Sequence, residues 1–254
     1  MDNDSRSVSP CSIPEGMYIR KVVPYQRTIY FRYGTRIIEA TGSASDNRHP
    51  NVLRLKIRRT FTERVIQAIV SFLPLAWACW IRSRFPEWCL PEKIVLKIEK
   101  DGWDEEFDIE KAAYEQLEPA QGSIIIPRFH GQIEYDGKRA LILSDIGGYC
   151  VATPEGAVLD EEDFRPLLEK ALTSISKLGV NHDDSKLDNF HLVTENGKDR
   201  IMIVDLEMVD TGLSETDFAF VTKANEDFVM RQYRQHLECM EHDGVLLPKR
   251  PVKA

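Results

Sequence analysis

The chain has 254 residues, 43% of them hydrophobic and 29% charged, with a formal net charge of −8. That composition excludes wholesale disorder and suits one sizeable domain or two closely packed lobes, while the acidic balance argues against nucleic-acid binding, which needs a basic face. Five scattered cysteines (Cys11, Cys79, Cys89, Cys150, Cys239), without a CxxC pair, speak against a zinc ribbon or a disulfide framework and point to a reducing, cytoplasmic compartment.

Residues 1–20 read as a loose tail, acidic and then rich in Ser and Pro, without the basic-then-apolar layout of a secretory signal. Ile29–Tyr33 and Val52–Ile57 read as strands, with Gly42–Asn47 between them a loop by composition. An apolar segment, Val65–Ile81, follows between Arg58 and Arg59 on one side and Arg82 and Arg84 on the other. Gln67, Ser71 and Pro74 interrupt it, so it is expected as a packed or interfacial helix pair rather than a membrane span. Peripheral membrane contact through residues 65–81 is the sharper reading of its basic flanks.

Ile94–Ile98 is a strand with Lys97 inside its apolar run, and Ile109–Leu117 a helix stopped by Pro119. Ile124–Pro127 and Ala140–Leu143 read as further strands, the second running into the flexible junction Ser144–Gly148. From Asp160 to Leu178, apolar residues recur at helical spacing; acidic residues open the segment and Gly179 closes it. Phe190–Val193 and Arg200–Val204 flank Asn196-Gly197, a strong hairpin signal. A last helix is expected over Glu226–Met240, followed by a basic tail, 247–254.

The chemistry is concentrated in His182-Asp183-Asp184-Ser185-Lys186-Leu187-Asp188-Asn189 and in Val204-Asp205-Leu206-Glu207. Phosphoryl transfer asks for a carboxylate to orient a hydroxyl and for oxygen ligands to hold Mg²⁺ against the phosphates. Asp184 can be that base, and the hairpin carries Asn189 and Asp205 to the same end as metal ligands. Lys186 can steady the phosphate as a point charge. Lys97, unusual inside a strand, needs a partner, and Glu110 at the start of the next helix is preferred over Glu115. Singly, each carboxylate reads better as a cap or turn former; the joint order and spacing favour the functional reading.

His182–Asn189 resembles the H-R-D-x-K-x-x-N catalytic loop of the protein-kinase-like superfamily, and Asp205-Leu206-Glu207 resembles its D-F-G in the D-x-E form of choline kinase and aminoglycoside phosphotransferase relatives. Ile94–Lys97 is similar to the V-A-I-K strand. The overall flavour is similar to small fungal kinase-like proteins. The resemblance implies a two-lobed α+β fold: a β-rich N-lobe (21–146) with an apolar helical insertion at 61–90, and a minimal helical C-lobe (147–246). It implies ATP and Mg²⁺ as cofactors, with Lys97 on the α/β phosphates, Glu110 as its partner, Leu143, Ser144, Asp145 and Ile146 at the adenine-contacting hinge, and Asn189 and Asp205 on Mg²⁺. The phosphoacceptor would be a protein or small-molecule hydroxyl.

Four features depart from that pattern. No G-x-G-x-x-G precedes the lysine strand, Asp183 stands where many kinases have Arg, Glu207 replaces the glycine after the metal-binding Asp, and the short remainder after Asp205 holds no A-P-E and is expected to form only a minimal C-lobe. They leave a catalytically impaired pseudokinase as the alternative. A metal phosphohydrolase built on His130, His182, Asp183 and Asp205 is the third reading, although it leaves Lys97 and Asn189 unexplained.

Overall fold

A computed structural model describes residues 25–45, 49–118 and 125–253; the expected N-terminal tail lies outside them. Six strands form one curled antiparallel sheet: β1 (Arg27–Tyr33), β2 (Arg36–Ala44), β3 (Val52–Ile57), β4 (Lys93–Ile98), β5 (Phe129–Tyr135) and β6 (Lys138–Ser144), in the order β1-β2-β3-β4-β6-β5. Alternation drives the curl: Ile29, Phe31 and Tyr33 of β1 point into the same apolar cluster as Ile38, Leu53, Leu55, Ile94 and Ile142.

Two of these six strands, β2 and β5, have no counterpart among the strands that the sequence predicts. β2 runs on through Gly42 to Ala44, where composition suggested a loop. Gly42 is there because the strands lie too close for a side chain. A Cβ at that position would sit 1.9 Å from the Arg54 carbonyl oxygen.

Between β3 and β4 the chain makes two helices, α1 (Phe61–Phe72) and α2 (Leu75–Arg84), separated at Leu73-Pro74, and a 3₁₀ turn, Pro86–Trp88. Thr60 and Glu63 form a reciprocal capping box that starts α1. No helix of the described residues is long and apolar enough to cross a membrane.

The second apolar cluster is larger and packs three helices around the hairpin of β9 (Phe190–Glu195) and β10 (Lys198–Ile203). Helix α3 (Asp104–Gln116) begins five residues before the expected Ile109, because Asp104, Glu105 and Glu106 extend its first turn favourably against the helix dipole. It contributes Phe107 and Tyr114 to this cluster. Helix α4 (Glu161–Ser176) buries Phe164, Leu168, Ala171, Leu172 and Ile175, the stripe that periodicity indicated. Helix α5 (Glu215–His242) starts eleven residues earlier than expected, capped by Ser214. Its Tyr233 stacks on Phe164 with ring centroids 4.2 Å apart.

Ile125 and Ile126 are buried but bent rather than in a strand, and Ile124 lies outside the described residues. The Ile125 carbonyl instead accepts from Ile203 N–H at 2.8 Å, fixing this segment against the hairpin. The short strands β7 (Tyr149–Cys150), β8 (Asn181–His182) and β11 (Val209–Asp210) complete the set, with β7 pairing β9 and β8 pairing β11.

The segment read as a basic tail is tied to the body. Lys249 donates to the carbonyls of Ala157 and Leu159, both at 3.0 Å, and Arg250 pairs with the fully buried Asp199 carboxylate at 2.5 Å. Burial opposes the charge of Asp199. Arg250, the Lys253 N–H and Thr194 outweigh it and hold the carboxyl down at about 2.

Candidate phosphoryl-transfer site

The site forms where the two apolar clusters meet. β4 lies in the sheet between β3 and β6, with Lys97 opposite Val52 on one side and Leu141 on the other. The side chain of Lys97 is buried, and its Nζ lies 2.8 Å from both carboxylate oxygens of Glu110 on α3. Glu110 is itself 1% exposed. The same ammonium donates to Asp205 Oδ1 at 2.8 Å and lies 3.1 Å from Glu207 Oε1. Lys100, three residues on and past the end of β4, reaches the other Glu207 oxygen at 2.6 Å.

Burial opposes the charge on Lys97, but Glu110, Asp205 and Glu207 more than offset it, and the ammonium pKa is raised. Asp205 shows the converse: burial pushes its carboxyl up, Lys97 pulls it down further, and the net shift is downward. Glu110 is pushed up by burial and by its neighbouring carboxylates despite Lys97. Two lysines thus face three carboxylates, and the surplus charge is negative.

The hairpin that delivers Asp205 is β9 (Phe190–Glu195) and β10 (Lys198–Ile203), turned by Asn196 and Gly197 at φ 51° and 78°. Both positive angles match a two-residue hairpin turn. Phe190 pairs with Ile203, and Val204 N–H donates to the Asn189 carbonyl at 2.9 Å, so Asn189 is carried alongside the Val204-Asp205 step. Asp205 adopts φ 62°, a left-handed conformation that Asp tolerates better than most residues. That turn lets the side chains at 205 and 207 both reach Lys97.

His182 lies directly behind it, fully buried. Burial lowers its pKa and keeps the imidazole neutral, and its Nε2–H donates to the Asp205 carbonyl at 2.8 Å. The histidine holds the backbone of the acidic turn.

Asp184 and Asn189 form a second constellation on the loop after β8. Asn189 Nδ2 donates to the Asp184 carbonyl at 2.8 Å and to its Oδ2 at 3.1 Å, while Lys186 Nζ sits 2.9 Å from Asp184 Oδ1. Helix α5 supports this loop from behind. Asn225 donates to the His182 carbonyl at 2.9 Å and Gln232 to the Ser185 carbonyl at 3.3 Å.

Of the hinge residues, Leu143 and Ser144 complete β6, whereas Asp145 and Ile146 lie beyond it. Two of their N–H groups are used internally: Ser144 donates to the Arg128 carbonyl at 2.9 Å and Asp145 to the Lys93 carbonyl at 3.4 Å. Gly147 and Gly148, both at positive φ, then turn the chain toward β7.

Glu207 and Lys100 enter the site without having been singled out as site residues. In the sequence Glu207 stands out only as the last residue of Asp205-Leu206-Glu207; its approach to Lys97 needs the left-handed turn at Asp205. Among the described residues, one group of potential metal ligands comes together: Glu110, Asp205 and Glu207, with ligand atoms within 4.8 Å of one another. All its donors are oxygen, which suits a hard divalent cation. The histidines do not join it: His130 lies on β5, and His182 uses its ring behind Asp205.

A scan against protein-family models finds no match to this chain, and a search of curated proteins finds none.

Proposed function

We propose that this chain is an ATP- and Mg²⁺-dependent phosphotransferase with a two-lobed, protein-kinase-like architecture, acting on a protein or small-molecule hydroxyl. The observation that carries the reading is the bridging position of Lys97. One buried ammonium contacts Glu110 from a helix and Asp205 from a hairpin 108 residues later, three positions that sequence alone had assigned to one site.

The oxygen-only donor set and the surplus negative charge fit a hard cation, and Asp205, with Glu207 or Asn189, would hold it. Magnesium bound with ATP would neutralise charge on the transferring phosphoryl group. Lys97 would bind the α/β phosphates, with Glu110 orienting it. Asp184 would orient the acceptor hydroxyl and take its proton, Asn189 fixing it through one hydrogen bond to its carboxylate and one to its backbone carbonyl. Lys186 supplies a mobile positive charge beside that carboxylate.

The test is phosphate transfer from labelled ATP by the intact chain and by Asp184→Asn, alongside thermal unfolding with and without Mg·ATP. Transfer should fall by about 10²-fold or more in the variant, the usual contribution of a positioned base. The Mg·ATP-dependent rise in unfolding temperature should persist in Asp184→Asn and vanish in Asp205→Asn. Equal transfer by both proteins would remove Asp184 from the mechanism, and no thermal shift at millimolar Mg·ATP would sink the nucleotide reading. The missing glycine pattern before Lys97 favours a second reading, a kinase-folded binding module, whose signature is a thermal shift without transfer.

A further inference from the structure

We propose that helices α1 and α2 form an interfacial anchor that lies in the surface of an anionic phospholipid bilayer. The inference is independent of the phosphotransferase reading. Along α1, Phe61, Val65, Ile69 and Phe72 recur at helical spacing and all are exposed, Phe72 at 89%. The opposite face, through Glu63, Gln67 and Val70, is the one that meets the protein: Glu63 pairs with Arg36, and Gln67 donates to the carbonyls of Trp88 and Leu90. The amphipathic helix therefore turns its apolar stripe outward. On α2, Trp77 and Trp80 are 65% and 57% exposed. So large a run of exposed aromatic and aliphatic side chains marks a surface that is covered in use.

Charge identifies the cover. In a chain of net charge −8, residues 58–85 contain five arginines and one carboxylate, Glu63, which Arg36 already neutralises. Arg58 is engaged by Glu39, and Arg59 by the Leu90 carbonyl. Arg64, Arg82 and Arg84 are exposed on the same two helices. Aromatic residues beside arginines fit the boundary between acyl chains and anionic headgroups. With 12 and 10 residues, the helices are too short to span and suit an in-plane position. A second copy of this chain fits less well. A two-fold contact through the same patch would bring two arginine-bearing surfaces together.

The experiment is sedimentation of the intact chain with phosphatidylcholine vesicles and with vesicles containing roughly one-third phosphatidylserine, at low ionic strength. Partition onto the anionic vesicles should be strong, should shift tryptophan emission to the blue, and should weaken with added salt. Trp77→Ser/Trp80→Ser should reduce it at least about tenfold. Arg82→Gln/Arg84→Gln should reduce it about 25-fold, at about fivefold per arginine near a charged surface. These side chains are exposed, and unchanged thermal unfolding would show that the variants fold. No partition onto anionic vesicles, or equal partition by wild type and both variants, would overturn the proposal. A concentration-dependent dimer dissolved by Trp77→Ser/Trp80→Ser, with no vesicle binding, would replace the bilayer with a second copy.

Discussion

Lys97 and Glu110 are charged side chains taken out of water, whereas Phe72 and Trp77 are aromatic side chains left in it. Both regions depart from the ordinary arrangement, in opposite directions. In the first, desolvation costs several kcal/mol per ion and is offset by short contacts among four charged groups. In the second, large apolar area stays in water despite the edge contact of Trp80 with Phe85. A buried charge cluster organises groups that act on each other; an exposed apolar face needs something from outside the molecule. The difference separates the catalytic proposal from the docking proposal.

Four variants sharpen or break that contrast. Lys97→Met removes the cation from among Glu110, Asp205 and Glu207 and should cost about 3–5 kcal/mol in urea unfolding, as for other broken buried pairs. Lys97→Met/Glu110→Leu should recover part of that stability without recovering Mg·ATP binding. A cost below about 1 kcal/mol for the single change would mean that water reaches the cluster, as it does a surface pair. Thr60→Ala, which deletes the cap of α1, should cost about 1 kcal/mol. The loss should appear as faster amide exchange in α1 alone, because that helix rests on the body by one narrow face. The smallest effect is expected for Trp77→Ser/Trp80→Ser, within about 0.5 kcal/mol of wild type by the same unfolding measurement. A larger loss would show that the tryptophans pack within the fold.

The site was more legible in the sequence than the fold that holds it. Lys97 stood out because a lysine inside an apolar strand needs a partner, and Glu110 lay within reach on the next helix. Asn196-Gly197 specified its turn through local dihedral preference, so the juxtaposition of Asn189 with Asp205 followed from strand length. Strand β2 was illegible because Gly42-Ser43-Ala44 has loop composition, and only the close approach of the Arg54 carbonyl explains it as strand. The early starts of α3 and α5 were missed because acidic first turns and a serine cap lie outside the apolar periodicity. Glu207 looked like a departure from a glycine position. Its ion pairs with Lys97 and Lys100 depend on a backbone turn at Asp205 that no spacing rule supplies.

The Asp199–Arg250 pair bears on the order in which the molecule assembles. The β9–β10 hairpin is local and can close early with Thr194 bonded to Asp199, but the charged partner of Asp199 arrives from 51 positions later in the chain. Until α5 has docked and the following segment has folded back, that carboxylate lacks its ion-pair partner. Docking of Arg250 and the Lys253 N–H is therefore expected late in folding, and the segment that locks the hairpin carrying Asn189 and Asp205 contributes none of the proposed catalytic groups.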